Sequence, residues 1–176
     1  MGALIDRMIR ASKLDAGLYE EVEADPSTMG QAVMVVVISS VAAGIGSMAV
    51  TGFSGLVVGT LVALAGWFLW SFLTYIIGTK MLPEPQTRAD YGELLRTIGF
   101  SSAPGVIRVL AFIPVVGLLI NFLAGIWMLV AMVIAVRQAL DYQSTGRAVG
   151  VCLIGWVIQF LFFIIIFGIF GSGQPA

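Results

Sequence analysis

The chain has 176 residues, of which 59% are hydrophobic and 11% are charged, and its formal net charge is −1. Soluble domains contain roughly 45–50% apolar and about 25% charged residues, and a soluble protein of this length could not bury so much apolar surface. The composition therefore excludes a soluble globular domain and a basic nucleic-acid-binding protein, and it indicates an integral membrane protein in contact with the lipid bilayer.

Residues 1–28 are predicted to form a cytoplasmic leader, amphipathic at first and then acidic. Residues 2–13 have the helical spacing of an amphipathic helix, with an apolar face made by Leu4, Ile5, Met8 and Ile9. Its basic residues are interpreted as lipid anchors: Arg7, Arg10 and Lys13. Two interpretations stay open, a helix lying on the bilayer with its arginines among headgroups, or a helix packed on the protein's own cytoplasmic face.

The first two spans contain no charged residue and are separated by a short turn. Thr28 and Gln31 have the spacing of a capping box, which predicts a helix start for the first span at residues 29–50. The stretch "TGFSG" predicts a turn, and the second span follows at 55–79. The prolines of "PEPQTRADYGE" then predict a true break in helical structure.

Three further spans are predicted, at residues 93–113, 115–137 and 148–171, before a polar tail at 172–176. Each predicted span has at least about 20 residues, enough to cross ~30 Å of hydrocarbon at ~1.5 Å per residue. The predicted fold is therefore an all-α integral membrane protein, with residues 29–171 forming one domain of five transmembrane helices behind the leader.

The basic residues determine the predicted orientation. If the N-terminus is cytoplasmic, the leader, the loop after the second span and the loop after the fourth span receive every Lys and Arg except Arg108. An odd number of spans then places the C-terminus outside. The predicted location is an integral membrane protein, in the cell (inner) membrane if the chain is prokaryotic.

Arg108 is the one charged residue predicted within the outer half of a span. Pro104 lacks an N–H and should kink this third span one turn earlier. A cation at the membrane centre is costly to insert, so three interpretations stay open. The side chain reaches outward to lipid headgroups, it caps backbone carbonyls or Asn121, or it belongs to a ligand or partner site.

Small and amide residues on the spans are interpreted as sites of helix packing: Gly55, Gly59, Gly117, Asn121, Gly125 and Gln159. Small residues let helices approach closely in lipid, and buried amides hydrogen-bond to neighbouring helices. The contacts predicted from this pattern are either seams within one monomer or an interface of a homo-oligomer or larger membrane complex.

The chain contains few of the residues that commonly catalyse reactions. The chain has no His and a single Cys, and its carboxylates lie in the leader and the polar loops rather than in a span. This pattern predicts no enzyme, no metal site and no cofactor, with Cys152 acting as a small packing residue. A transporter or channel for small solutes is the alternative to a structural role.

Two stretches resemble the Yip-domain (Ypt-interacting protein) family. "GFSSAP" is similar to that family's Gly-aromatic-x-x-x-Pro element through Gly99, Phe100 and Pro104, and "DYGELLRTI", with Tyr91 and Gly92, is similar to the approach to the same span. The resemblance, with features of prokaryotic members, covers essentially the whole chain. It implies five spans, a cytosolic N-terminus, and a non-catalytic membrane scaffold or accessory subunit.

Eukaryotic members associate with prenylated Rab-type GTPases and with one another. The family's N-terminal Asp-Leu-Tyr-Gly-Pro element is not present in this chain, and Asp25-Pro26 is only a faint echo of it. A GTPase partner is therefore doubtful, and the expected role is a membrane organiser that acts through helix–helix and lipid contacts.

Overall fold

The computed structural model describes the backbone of residues 2–113 and 115–171, and the side chains within these ranges except those of residues 49 and 162–171. The elements are helical throughout this part of the chain. The α-helices are α1 (Gly2–Ser12), α2 (Ala16–Ala24), α3 (Met29–Ile76), α4 (Tyr91–Ser101), α5 (Val116–Ala139) and α6 (Thr145–Gly171). Shorter 3₁₀ or π-helical segments are Pro26–Thr28, Ile77–Met81 and Ala103–Phe112. The predicted tail lies outside the described residues.

Helix α3 is bent back on itself at Gly52, at the predicted "TGFSG" turn. Gly52 has φ 65° and ψ −174°, a conformation that residues with a Cβ rarely adopt. The two resulting parts are called the first leg (29–51) and the second leg (53–76). A Cβ on Gly44 of the first leg would lie 2.9 Å from the Leu56 side chain of the second, which shows how closely the legs approach below the bend.

The third span, predicted as one helix kinked at Pro104, consists of two helical segments of different type. Helix α4 ends at Ser101, and the chain continues as a 3₁₀-helix over Ala103–Phe112. Pro104 explains the change, because it has no N–H to donate and its ring would clash with the carbonyl of Phe100. The tighter bonding starts at once, with the Ser102 N–H donating to the Gly99 carbonyl at 3.2 Å.

The α4 and 3₁₀ segment runs beside the first leg in the same direction. Gly99 faces Ala32 near one end, the Ser39 hydroxyl donates to the Ser102 carbonyl at 2.7 Å further along, and Gly46 faces the Arg108 carbonyl near the bend. Helix α5 then returns in the opposite direction, with Gly117 against Ala111 and Met128 against Gly105. Helix α6 lies beside the second leg, where Gly155 contacts the Trp70 ring.

Three stretches of the described chain are helical, long and apolar enough to cross a membrane: Pro26–Met48, Val50–Met81 and Val116–Ala139. They correspond to the predicted first, second and fourth spans, and Thr145–Leu161 is a shorter apolar helical stretch. Large apolar side chains cover the outside of these helices; Leu118, for example, is 82% exposed. The chain is thus a membrane protein whose described part is all-helical.

The leader packs against α4, the 3₁₀ segment and α5, and the end of the bundle that α2 covers is called here the leader end. Leu18, Tyr19 and Val22 of α2 are fully buried in the core, together with Ala11 of α1. On α1, Leu4 and Met8 pack against this core, whereas Ile5 and Ile9 are about half exposed. The helix therefore docks on the protein with one part of its apolar face and leaves the other part uncovered.

The predicted capping box at Thr28 is wrong. The Thr28 hydroxyl donates to the carbonyls of Val22 and Asp25 instead of capping α3, and the Gln31 side chain accepts a hydrogen bond from Arg7. The side chains are drawn away because Thr28 is fully buried beneath the leader. The capping box of the fold is at Asp90 and Glu93, which begins α4.

A candidate ligand cavity within the bundle

A cavity of about 560 Å³ lies between the two legs of α3. The α4 and 3₁₀ segment closes it on one side, and α5 and α6 contribute Met128, Met132, Trp156 and Gln159 to its walls. Its volume is within the range of roughly 300–1,000 Å³ that small-molecule sites occupy. Its lining extends along the two legs from Val36 and Trp70 to Thr51 and Gly55, on either side of the Gly52 bend.

Small residues of the second leg create this space. Gly55, Gly59, Ala63 and Gly66 follow at helical spacing and all line the cavity. A Cβ on Gly59 or on Gly66 would meet no atom within 4 Å, so no neighbouring helix fills the volume beside them. Gly55 and Gly59 were predicted as packing sites, and in the structure they line the open space.

Arg108 lines the cavity through its half-buried side chain. Its Nε atom is buried and has no hydrogen-bond partner, and one of its terminal nitrogens would lie 3.9 Å from a Cβ on Gly125. No ion pair involves Arg108 among the described side chains. Asn121 is exposed on α5 and makes no hydrogen bond with it in this part of the chain.

Hydroxyl groups form much of the polar wall. The Ser47 hydroxyl donates to the Ala43 carbonyl at 3.1 Å, Thr51 donates to the Ser47 carbonyl at 3.2 Å, and Ser101 donates to the Ile98 carbonyl at 2.7 Å. The protons of these hydroxyl groups are therefore not available to a ligand. The Trp67 indole N–H donates to the Leu95 carbonyl at 3.0 Å, whereas the Trp70 indole N–H is buried without a partner.

The residues that carry the family resemblance lie where α4 meets the first leg and the second leg. The Tyr91 hydroxyl donates to the Phe68 carbonyl at 2.8 Å, and Gly99 lets α4 approach Ala32 closely. Phe100 is fully buried, and the buried Pro104 starts the 3₁₀ segment. Gly92 lies beside the Arg96 guanidinium. These residues position the cavity wall and do not make its polar surface.

The predicted lipid anchors of α1 have partners within the protein. Arg7 and Arg10 both bind the Glu21 carboxylate, at 2.8 Å and 2.6 Å, and Arg10 also binds Asp15 at 2.8 Å. The Arg10 guanidinium lowers the pKa of the Asp15 carboxyl, and the Arg10 and Arg7 guanidiniums lower that of Glu21. Lys13 makes no ion pair in the described structure.

Arg96 is a structural residue that the sequence reasoning missed. It is 5% exposed, and its guanidinium donates to the backbone carbonyls of Val22 and Glu23, so it holds the end of α2 on α4. Its position among apolar residues of α4 could have predicted this role, because a buried charged residue needs hydrogen-bond partners.

A second concavity, of about 810 Å³, opens at the leader end between α2, α4 and the loop after α5, and is called the acidic groove. Its carboxylates are Glu20, Glu23, Glu93 and Asp141. Burial raises the pKa of the Glu23 carboxyl to about 7, and the negative charges of Asp141, Glu93 and Glu20 act in the same direction. Arg137 and Gln138 also line this groove.

Comparisons with known proteins identify a family. The family model described as the Yip1 domain matches residues 18–167 of the chain. The matched region begins in α2 and includes every residue that lines the cavity. The comparison with curated proteins and the comparison with solved structures found no match.

Proposed function

Because the chain belongs to the Yip1-domain family, we propose that it is a non-catalytic integral membrane scaffold or accessory subunit that organises a membrane through helix–helix and lipid contacts. Its partners are the bilayer and further membrane proteins, either copies of itself or members of a larger complex. Neither a GTPase partner nor a nucleic-acid partner is proposed.

We propose that the chain crosses the membrane five times. The first leg, the second leg, the α4 and 3₁₀ segment, α5 and α6 alternate in direction along the bundle. At ~1.5 Å per α-helical and ~2.0 Å per 3₁₀ residue, the segment from Tyr91 to Phe112 is about 36 Å long, which exceeds ~30 Å of hydrocarbon. The leader end, which holds nearly all basic residues, is then cytoplasmic, and the C-terminus is external.

One observation supports the scaffold function, namely that the leader is hydrogen-bonded to the helices of the bundle and forms a platform on it. Arg96 binds the carbonyls at the end of α2, Gln138 of α5 donates to Glu20 at 2.7 Å, and the Trp127 indole donates to the Ser12 carbonyl at 2.8 Å. These bonds join the leader to α4 and α5. A fixed polar surface of this kind suits contact with proteins at the cytoplasmic side.

Site-specific photo-crosslinking in native membranes tests this function. A photoreactive residue at Gln143, beside the acidic groove, should form reproducible adducts with one or a few proteins. The same residue at Val157, on the exposed apolar face of α6, is the control and should react mainly with lipid. If both positions capture only lipid, the scaffold function is contradicted.

A transporter or channel for small solutes is the second candidate, favoured by the cavity with its hydroxyl groups and Arg108. Purified protein in proteoliposomes distinguishes the two functions. A scaffold leaves the leak of small anions equal to that of protein-free vesicles. Saturable flux that Arg108→Met abolishes would instead identify a transporter.

A further inference from the structure

We propose that the cavity between the legs of α3 binds an anionic phospholipid, with the Arg108 guanidinium holding the headgroup phosphate. The proposal goes beyond the scaffold function and depends only on the bundle lying in a membrane. It rests on the charge of the cavity, on its donors and on the surface from which it is reached.

The charge of the cavity is positive. The lining residues include Arg108 and no Asp or Glu within the described structure. An unpaired guanidinium in apolar surroundings is unfavourable unless an anion accepts its hydrogen bonds, and phosphate is well matched to its fork of N–H donors. A bound phosphate would therefore accept hydrogen bonds from Arg108 for which the described structure offers no acceptor.

Two donors in the cavity wall lack acceptors. The Nε of Arg108 and the indole N–H of Trp70 are both buried without a hydrogen-bond partner, and Trp70 is only 7% exposed. Buried polar atoms in folded proteins are nearly always satisfied, so the unsatisfied Nε of Arg108 indicates a missing acceptor. The phosphate oxygens of a lipid provide one. Trp70 lies nearer the start of α4, where Phe68 contacts Tyr91, and is not assigned to the same acceptor.

The cavity is reached from the apolar flank of the bundle. Gly59 lines the cavity and is itself exposed, and its neighbours on the second leg, Val58 and Val62, are 57% and 64% exposed. A ligand that enters beside these residues comes from the hydrocarbon layer. Val36, Met128 and Met132 then offer apolar walls to the acyl chains. Access from this apolar surface favours the phosphate of a lipid over a free phosphate ion.

The binding experiment uses the full chain, delipidated in a neutral detergent, with Trp127→Phe as background. The remaining tryptophans, Trp67, Trp70 and Trp156, all line the cavity. Phosphatidylglycerol brominated on its acyl chains should quench their fluorescence with a saturable curve. Brominated phosphatidylcholine offers the same phosphodiester but adds a trimethylammonium cation, which would meet Arg108 and no carboxylate in the described lining, so it should bind more weakly than phosphatidylglycerol. Inorganic phosphate should not displace the lipid.

Two variants with matched controls test the residues. Arg108→Met should weaken phosphatidylglycerol binding about ten- to hundredfold, while Arg108→Lys, which keeps the charge and loses the fork, should retain part of the affinity. Gly59→Leu should fill the cavity and block binding. Gly30→Leu is its control, because a Cβ on either glycine meets no atom within 4 Å and only Gly59 lines the cavity.

The proposal is overturned by any of three results. Equal affinity for phosphatidylglycerol and phosphatidylcholine would remove the role of charge. Displacement by inorganic phosphate would identify a site for a free anion. Unchanged binding by Gly59→Leu would place the lipid elsewhere on the protein. If Arg108→Met fails to fold, Gly59→Leu still decides whether the lipid occupies the cavity.

Discussion

Two arginines in neighbouring segments show how local packing determines what a buried cation does. Arg96 is almost fully buried, and two backbone carbonyls of α2 accept its hydrogen bonds. Arg108 lies in the 3₁₀ segment, and its buried Nε has no such partner in the described structure. Arg96 is therefore a structural residue that closes the leader end, while Arg108 is available to a ligand.

Replacing Arg96 should destabilise the fold. In Arg96→Gln the carbonyls of Val22 and Glu23 lose their donors in a buried setting, so we expect a loss of roughly 1.5–3 kcal/mol in the free energy of unfolding. Arg88→Gln is the matched control, since Arg88 is exposed and makes no ion pair among the described residues. Thermal unfolding in one detergent checks both; equal stability of the two variants would contradict the role of Arg96.

Glu23 predicts a pH dependence. Its pKa is about 7 in the folded protein and near 4.5 when exposed, so the folded state binds more protons than the unfolded state between these values. The contribution of Glu23 to stability is therefore lost as the pH rises from about 5 to 7. Glu23→Gln should flatten the dependence of the melting temperature on pH in this window, while Asp6→Asn, outside the acidic groove, should not change it.

Gly99 predicts a steric cost at the close contact of α4 with the first leg. In Gly99→Ala the new Cβ would lie 2.8 Å from the Ala32 Cβ and 3.3 Å from its backbone, which cannot move freely, so we expect a loss of about 1–3 kcal/mol. Gly30→Ala has open space and should be neutral or stabilise by up to about 1 kcal/mol. Unfolding in detergent that ranks the two variants equally would show that the contact is unimportant.

At the scale of the elements, the arginines of the leader have two alternative partners, a carboxylate of the protein and the headgroups of lipids. In the structure, Arg7 and Arg10 share the Glu21 carboxylate, and their use as lipid anchors stays a prediction. Exposed or partly exposed ion pairs contribute little each, so headgroup phosphates can compete with Glu21. The half-exposed Ile5 and Ile9 would lie on the membrane side of such a helix.

Glu21→Gln tests this competition. Loss of the shared carboxylate should increase hydrogen exchange of α1 in nanodiscs of neutral lipid and should restore protection in anionic nanodiscs, because the freed arginines then bind headgroups. Asp6→Asn removes the same charge from an exposed residue without an ion pair in the described structure. Exchange of α1 that is insensitive to lipid charge in Glu21→Gln would exclude the anchoring role.

The sequence predicted the helical class, the turn at Gly52 and the break at Pro104, because each depends on local chemistry. It did not predict that the third span continues as ten residues of 3₁₀-helix, whose start is held by the hydrogen bond from Ser39 of the first leg to the Ser102 carbonyl. The capping box at Thr28 failed for a similar reason, since burial under the leader redirects the hydroxyl. Nor could glycine spacing tell a packed seam from an open cavity, because the space beside Gly59 depends on where other helices lie.

At the scale of the whole molecule, the proposed orientation rests on five crossings. The leader faces the cytoplasm only if the chain crosses the membrane five times with the leader inside, whereas entry of lipid into the cavity requires only that the bundle lies in a membrane. The bend at Gly52 and the start of α5 are then external, whereas the loops after the second leg and after α5 are cytoplasmic. The orientation also places Arg108 in the outer half of the bilayer.

Cysteine labelling tests this topology most directly. In a Cys152→Ala background, single cysteines replace Ser54, Gln86, Gln143 and Gln174, and intact cells are treated with a membrane-impermeant maleimide. The account predicts labelling of the Ser54→Cys and Gln174→Cys proteins in intact cells, and labelling of the Gln86→Cys and Gln143→Cys proteins only after permeabilisation. Labelling of Gln174→Cys only after permeabilisation, together with Gln143→Cys, would contradict a fifth crossing and the external C-terminus.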